Sequence, residues 1–122
     1  MQRVRIENLT RPLSSPVIAG LCNSFWPKFK GLMFAASINT NEGLLFQENA
    51  ESRLDSSIHM LFMNFDIAVI WLDRDLRVID AKLAKRWRLA YIPSAPAQFT
   101  LETHPDQLKN FQIGDVLSFE TV

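Results

Sequence analysis

A nearly continuous apolar run at residues 65–72 sets the strongest limit on how this chain can fold. Asp66 is the only charged residue in the run, in which Ile67, Val69 and Ile70 are β-branched and Trp71 is aromatic. A short run of this composition, followed by the turn signals of residues 73–75, is typical of a strand buried on both faces. A buried helix is the alternative that the pattern leaves open.

A second apolar segment begins at Leu76 and completes a predicted hairpin. The charged residues Arg77 and Asp80 within it indicate a strand with one face toward water. The turn lies near Arg74 and Asp75. Because tight turns use positive φ values, which Asp tolerates better than Leu, we expect Asp75 rather than Leu76 in a left-handed conformation.

The rest of the chain predicts further short elements around this hairpin. Apolar alternation and short apolar runs favour strands at residues 3–7, 17–21, 43–47, 98–103 and 116–119, and helices are expected at residues 25–33 and 105–111. Many short strands with few helices favour a sheet folded on itself. We therefore predict a mainly β (α+β) fold: a compact, mostly antiparallel β-barrel or sandwich with one or two short helices, forming a single domain over residues 1–122.

Charge and cysteine content narrow the function classes. Thirteen basic residues balance thirteen acidic ones, which gives no general attraction to nucleic acid or to anionic lipid. The single cysteine, Cys22, excludes an internal disulfide and a multi-cysteine metal site, and it fits a reducing, cytoplasmic compartment. Neither His59 nor His104 has metal-ligand spacing, so we predict no metal and no cofactor. No apolar run reaches the ~18 residues of a membrane span.

Several short pieces, in this order, resemble the bacterial and archaeal family called domain of unknown function 192. They are residues 29–33 (FKGLM), 42–46 (EGLLF), 58–63 (IHMLFM), 69–73 (VIWLD), 78–79 (VI), 101–102 (LE) and 113–116 (IGDV). The resemblance implies a compact, mostly β domain with a short helix at the first piece, in a bacterial protein, and it implies no activity. The chain departs from the family pattern at Asp66 and Ala68, where proline and aspartate are frequent, and at Leu76, which replaces a turn glycine.

His59 is the sharpest candidate for acid–base chemistry. It would titrate near neutral pH and needs an acidic partner to orient it, for which Glu102 and Asp66 are the candidates. The alternative is a histidine that is hydrogen-bonded within the sheet. Asp66 in turn either marks the start of its strand or pairs with Arg77 or Lys82 across the hairpin.

A basic cluster at Lys82, Lys85, Arg86 and Arg88 surrounds Trp87. Guanidinium and indole groups together can stack on a ring or bind an anion. A solvated loop with Trp87 tucked into the core is the alternative.

Three functions remain open. The first is a non-enzymatic accessory domain that holds a small polar or anionic ligand, or a protein partner, at one end of the sheet. The residues expected to line that site are His59, Arg86, Trp87, Arg88 and Glu102. The second is a small hydrolase-type enzyme that uses His59 with Glu102 or Asp66. The third is a partner module, including a homodimer, that pairs through an exposed sheet edge.

Overall fold

The computed structural model describes residues 2–22, 37–58, 60, 63–88 and 90–122. These residues form a single seven-stranded sheet with the order β5-β4-β6-β3-β2-β1-β7. The elements are β1 (Arg3–Asn8), β2 (Val17–Cys22), β3 (Glu42–Ser52), β4 (Ile67–Leu72), β5 (Val78–Ala84), β6 (Ala97–Thr103), a 3₁₀ helix (Pro105–Asn110) and β7 (Leu117–Thr121). The pair β2–β3 is parallel and the other neighbouring pairs are antiparallel. The prediction of a mainly β, mostly antiparallel fold is confirmed.

Within the part of the chain that the structure describes, the sheet does not close into a barrel. Its edge strands β5 and β7 approach each other through the bridge between Arg77 and Val116. Farther along β5, Ser94 lies at the edge instead: its backbone N–H donates to Asp80 Oδ2 at 2.9 Å, and its hydroxyl donates to Ile79 O. The barrel part of the prediction is therefore wrong, because an irregular segment occupies the edge that a closing strand would need. The architecture is that of an open, sandwich-like sheet.

Strand β4 is buried on both faces, as its composition predicts. Ile70 and Leu72 pack into one apolar cluster, whereas Ile67, Val69 and Trp71 pack into another. Adjacent side chains of a strand point to opposite faces, so a strand between two clusters must be apolar at every position. Each large side chain buried in this way contributes roughly 2 kcal/mol.

Strand β6 is more buried than its alternating sequence predicts. It lies between β4 and β3 in the sheet, so both of its edges are paired, and four consecutive residues, Thr100 to Thr103, are buried. Glu102 and Thr100, which alternate with the apolar residues of the strand, are only 7% and 2% exposed. Strand order, which the local pattern does not encode, decides their burial.

The β4–β5 turn corrects one prediction. Leu76, not Asp75, has the left-handed conformation, with a φ of 65°. The N–H of Leu76 donates to Asp73 O, and Asp73 Oδ1 accepts from the N–H groups of Asp75 and Arg77. This bonding fixes a turn across residues 73–76 and leaves the left-handed conformation to its last residue, Leu76, at a position where glycine is usual.

The two predicted helices have different outcomes. Residues 25–33 lie outside the described residues. The second helix is present as the 3₁₀ helix Pro105–Asn110, which Pro105 opens and His104 caps. Of the helices that the structure describes, none has the length and apolar character needed to cross a membrane.

Candidate functional site

Most of the candidate functional residues lie at one end of the β4–β5 hairpin, which we call the loop end. It comprises residues 65–66, 85–88 and 102–105. Register brings these segments together: Ile67 pairs with Ala84 and Ala68 pairs with Thr103. The residues that precede β4 and follow β5 and β6 therefore meet at this end. The opposite end, which contains the turn at residues 73–77 and residues 114–117, is called the hairpin end.

Asp66 is the charged centre of the loop end. Its Oδ1 accepts the Arg86 backbone N–H at 2.9 Å and Arg86 Nε at 3.2 Å, and Lys85 Nζ lies 3.7 Å from Oδ2. The Arg86 backbone N–H, opposed by burial and aided by the charges of Arg86 and Lys85, holds the pKa of Asp66 below its ordinary value. Asp66 is therefore an ionised carboxylate at neutral pH.

The predicted partners of Asp66 were wrong. Lys82 Nζ instead donates to Ile92 O at 2.9 Å and lies 3.5 Å from Asp80 Oδ2. Arg77 lies at the hairpin end, where its guanidinium donates to Gly114 O. Because Asp66 precedes β4, it reaches the loop that follows β5 and not the side chains along that strand.

The loop at residues 85–88 holds Trp87 in an unusual position. Trp87 has a φ of 66° and is 55% exposed, so it does not pack in the core. The backbone N–H of Trp87 donates to Met60 O at 2.7 Å, and the backbone N–H of Met60 donates to Arg88 O at 3.0 Å. Met60 is fully buried, so these bonds tie the loop to the core while Arg86 and Arg88 stay exposed.

Glu102 is a buried carboxyl group of a different kind. It pairs with Val69 on one side and with Leu44 on the other, so it sits in an apolar row. No hydrogen bond from the described residues reaches its carboxyl group. Burial raises the pKa of Glu102 to about 8. At neutral pH this side chain is therefore a neutral carboxylic acid that can donate a hydrogen bond.

A cleft of about 170 Å³ opens beside Asp66. Its lining residues are Ser37, Ile38, Phe65, Asp66, His104 and Pro105. His104 Nδ1 accepts the N–H of Asp106 at 3.0 Å, which assigns the proton of the neutral imidazole to Nε2. The cleft therefore combines an ionised carboxylate, an imidazole N–H and apolar walls.

The predicted site residues fall into three groups. Asp66 and Arg86 are in direct contact, and Trp87 and Arg88 continue the same exposed loop. Glu102 lies inside the sheet near this end. His59 lies outside the described residues, so its predicted roles with Glu102 and Asp66 stay predictions.

Sequence reasoning did not assign His104 to a site. The available signal was its position before Pro105, where a side chain can cap a helix that proline opens. Within the described parts of the chain, no three side chains of His, Cys, Asp or Glu are grouped as metal ligands would be.

Comparison with known proteins places residues 10–119 within the profile of the domain of unknown function 192, described as an uncharacterised ACR. A UPF0127 protein from Thermococcus kodakarensis is 43% identical over 101 residues, covering 81% of this chain and 62% of that protein. The chain spans 62–65% of the length of three Thermococcus relatives. These relatives are archaeal, which gives no support to a bacterial source.

Two solved structures share the fold. A Sinorhizobium meliloti protein, proposed to be a transcription regulator, has a TM-score of 0.82 at 16% identity, covering 97% of this chain and 92% of that chain. A protein of unknown function from Novosphingobium aromaticivorans has a TM-score of 0.75 at 18% identity, covering 95% of this chain and 83% of that chain. At these identities the similarity establishes the fold alone.

Proposed function

The chain belongs to the domain of unknown function 192 family, and we propose that it is a non-enzymatic domain that binds a small organic anion at its loop end. The observation that carries the proposal is Trp87, exposed and held at a φ of 66° between two arginines. A left-handed conformation costs about 1 to 2 kcal/mol for a residue other than glycine. Backbone strain of this kind is concentrated at ligand clamps and active sites.

The charge balance of the loop favours an anion. Lys85, Arg86 and Arg88 supply three cations, and Asp66 supplies the carboxylate that offsets part of their charge. Arg88 is exposed, and no described residue pairs with its guanidinium. Glu102, neutral at pH 7, does not cancel the remaining positive charge.

Trp87 gives the site its apolar surface. Trp87 lies between the exposed residues Arg86 and Arg88 in the chain, and hydrogen bonds to the buried Met60 fix the backbone of this loop. A planar ligand stacks on such a ring, and a carboxylate or phosphate group on that ligand pairs with a guanidinium. We expect a small molecule that carries one anionic group and one flat or apolar part.

A binding titration tests the proposal. Benzoate and inorganic phosphate are titrated by calorimetry against the wild-type protein and two matched variants, Arg88→Ala at the loop end and Arg74→Ala at the hairpin end. Because hydrogen bonds to charged groups are worth roughly 1.5–3 kcal/mol, Arg88→Ala should weaken benzoate binding about tenfold or more. Arg74→Ala should leave it unchanged, because Arg74 is exposed at the opposite end.

Trp87→Leu distinguishes the apolar part of the site from its charge. It should weaken benzoate binding more than phosphate binding, because only benzoate has a ring to stack. Equal affinities for Arg88→Ala and Arg74→Ala, or no binding of either anion, would overturn the proposal.

A further inference from the structure

We propose that the cleft between Phe65–Asp66 and His104–Pro105 is a second ligand site, which takes a single heteroaromatic ring with one N–H donor and one hydrogen-bond acceptor. This site is separate from the anion-binding role of the loop, although Asp66 borders both. The proposal stands on the cleft's size, its two polar groups and its apolar walls.

The volume of the cleft sets the size of the ligand. It measures about 170 Å³. An engineered cavity of about 150 Å³ holds one benzene molecule. The cleft therefore accommodates one six-membered ring with one or two small substituents.

Asp66 offers an acceptor toward this space. Its Oδ1 already accepts two hydrogen bonds from Arg86, whereas its Oδ2 has Lys85 Nζ at 3.7 Å, beyond hydrogen-bond distance. A carboxylate has about four lone-pair sites, so Oδ2 retains the capacity to accept a bond from a ligand. Since Asp66 is ionised, it favours a ligand N–H and repels a ligand anion.

His104 offers a donor on the other side of the cleft. Its Nδ1 is committed to the N–H of Asp106 at the start of the 3₁₀ helix. The proton of the neutral ring is thereby assigned to Nε2, which can donate to a ligand carbonyl or ring nitrogen. Capping thus fixes the tautomer, so the donor is already oriented before a ligand arrives.

The apolar walls of the cleft favour a flat ring as the ligand. Ile38, Phe65 and Pro105 line the cleft and are partly buried. An apolar cavity that carries a small number of convergent polar groups is the usual form of a small-molecule site. A donor and an acceptor on one ring would satisfy Asp66 and His104 together, while the ring faces would contact Phe65 and Pro105.

Amide chemical shifts test the site with defined probes. Cytosine and nicotinamide, which carry a donor and an acceptor, are titrated into ¹⁵N-labelled protein, with toluene as the ring that has neither. We expect the first two to shift the amide signals of Ile38, Asp66 and His104 in a saturable manner and toluene to bind at least about tenfold more weakly, since each hydrogen bond to a charged group contributes a factor of this size.

Two variants separate the cleft from the loop. His104→Asn keeps a side chain that can cap the 3₁₀ helix but removes the Nε2–H donor, so it should weaken cytosine binding about tenfold without altering the melting temperature. Arg88→Ala, which impairs the proposed anion site, should leave cytosine binding unchanged. Equal binding of toluene and cytosine, no effect of His104→Asn, or shifts confined to residues 85–88 would each overturn the proposal.

Discussion

The two ends of the β4–β5 hairpin contain the same two unusual features and use them differently. Each end has a buried carboxyl group and a residue other than glycine with positive φ. At the hairpin end these are Asp115, which is 2% exposed, and Leu76. At the loop end they are Glu102, which is 7% exposed, and Trp87. The ends differ in the number of hydrogen bonds that reach the carboxyl group.

Asp115 is fully bonded. Its Oδ2 accepts from Asn8 Nδ2 at 2.9 Å, Arg11 Nε at 3.0 Å and the Gln112 N–H at 2.9 Å. Burial, the largest single influence, acts to raise the pKa of Asp115, but these bonds together outweigh it and hold the pKa below its ordinary value. The cluster joins the end of β1 to the segment before β7, which makes it a structural clamp.

Glu102 has burial without those bonds, so its pKa moves the other way, to about 8. The donors that reach Asp115, which Glu102 lacks among the described residues, therefore distinguish the charged carboxyl group from the neutral one. A group that is left neutral and without a partner among the described residues lowers stability at neutral pH. Such groups are concentrated at functional sites, which is consistent with ligand binding at the loop end.

Glu102→Gln should have the largest effect on stability. The pKa of Glu102 rises from 4.5 in the unfolded chain to about 8 in the folded protein. Its contribution to stability is therefore fully present below pH 4.5 and is lost as the pH rises toward 8. The loss is about 1.4 kcal/mol per pH unit and as much as ~5 kcal/mol in total.

Glutamine stays neutral at every pH, so Glu102→Gln should remove this dependence and exceed the wild type in stability at about pH 8. Urea unfolding of both proteins from about pH 5 to about pH 9 measures the difference. Glu120→Gln is the control, because Glu120 is an exposed carboxylate. If the wild type and Glu102→Gln keep a constant difference in unfolding free energy across this range, Glu102 is ionised in the folded state and the contrast with Asp115 fails.

Asp115→Ala should cost about 3 kcal/mol of unfolding free energy, since it leaves the Gln112 N–H and one N–H of the buried Asn8 amide, which keeps its bond to Asn110 O, without their acceptor. The lowered pKa of Asp115 means that its stabilisation is present above the unfolded pKa and is lost as the pH falls into the acid range. Urea unfolding at neutral pH checks the magnitude. Asp75→Ala, in the exposed turn, should change stability by less than about 0.5 kcal/mol, and a similar loss in both variants would contradict the clamp.

Gly43→Ala should destabilise the strand pair that carries Glu102 by about 2 kcal/mol, the usual cost of overpacking. A Cβ at Gly43 would lie 2.5 Å from Glu102 O, which is backbone and cannot move aside cheaply. Gly114→Ala is the matched contrast at the hairpin end, where a Cβ meets no atom within 4 Å but φ is +96°. Thermal unfolding of the two variants separates crowding from backbone strain, and no loss in Gly43→Ala would show that β3 and β6 are looser than the register indicates.

The sequence predicted those parts of the fold that depend on local composition. The apolar run at residues 67–72 indicated a strand buried on both faces, and the structure confirms it, because such a strand contacts apolar clusters on either side. Strand β3 extends to Ser52, five residues beyond the predicted end at Gln47. The prediction ended too early because residues 48–52 are mostly polar and lack an apolar pattern.

The candidate site was harder to predict because it depends on strand order. Glu102 alternates with apolar residues, which usually places a carboxylate in water, and only the central position of β6 buries it. Asp66 reaches Arg86 because Ile67 pairs with Ala84, a register that the sequence does not state. The exposure of the basic loop, in contrast, followed directly from its charge.

Leu76→Gly should have the smallest effect, and it tests the second feature that the two ends share. Glycine removes the left-handed penalty of about 1 to 2 kcal/mol, but it also removes a partly buried side chain and loosens the unfolded chain, so we expect a net gain of about 0.5 kcal/mol. Trp87→Gly should relieve a similar strain at the loop end while abolishing benzoate binding, whereas Leu76→Gly should leave binding intact. Urea unfolding measures the stability of both variants, and calorimetry measures their affinity for benzoate. If Trp87→Gly and Leu76→Gly bind benzoate equally well, the backbone strain at Trp87 is unrelated to ligand binding.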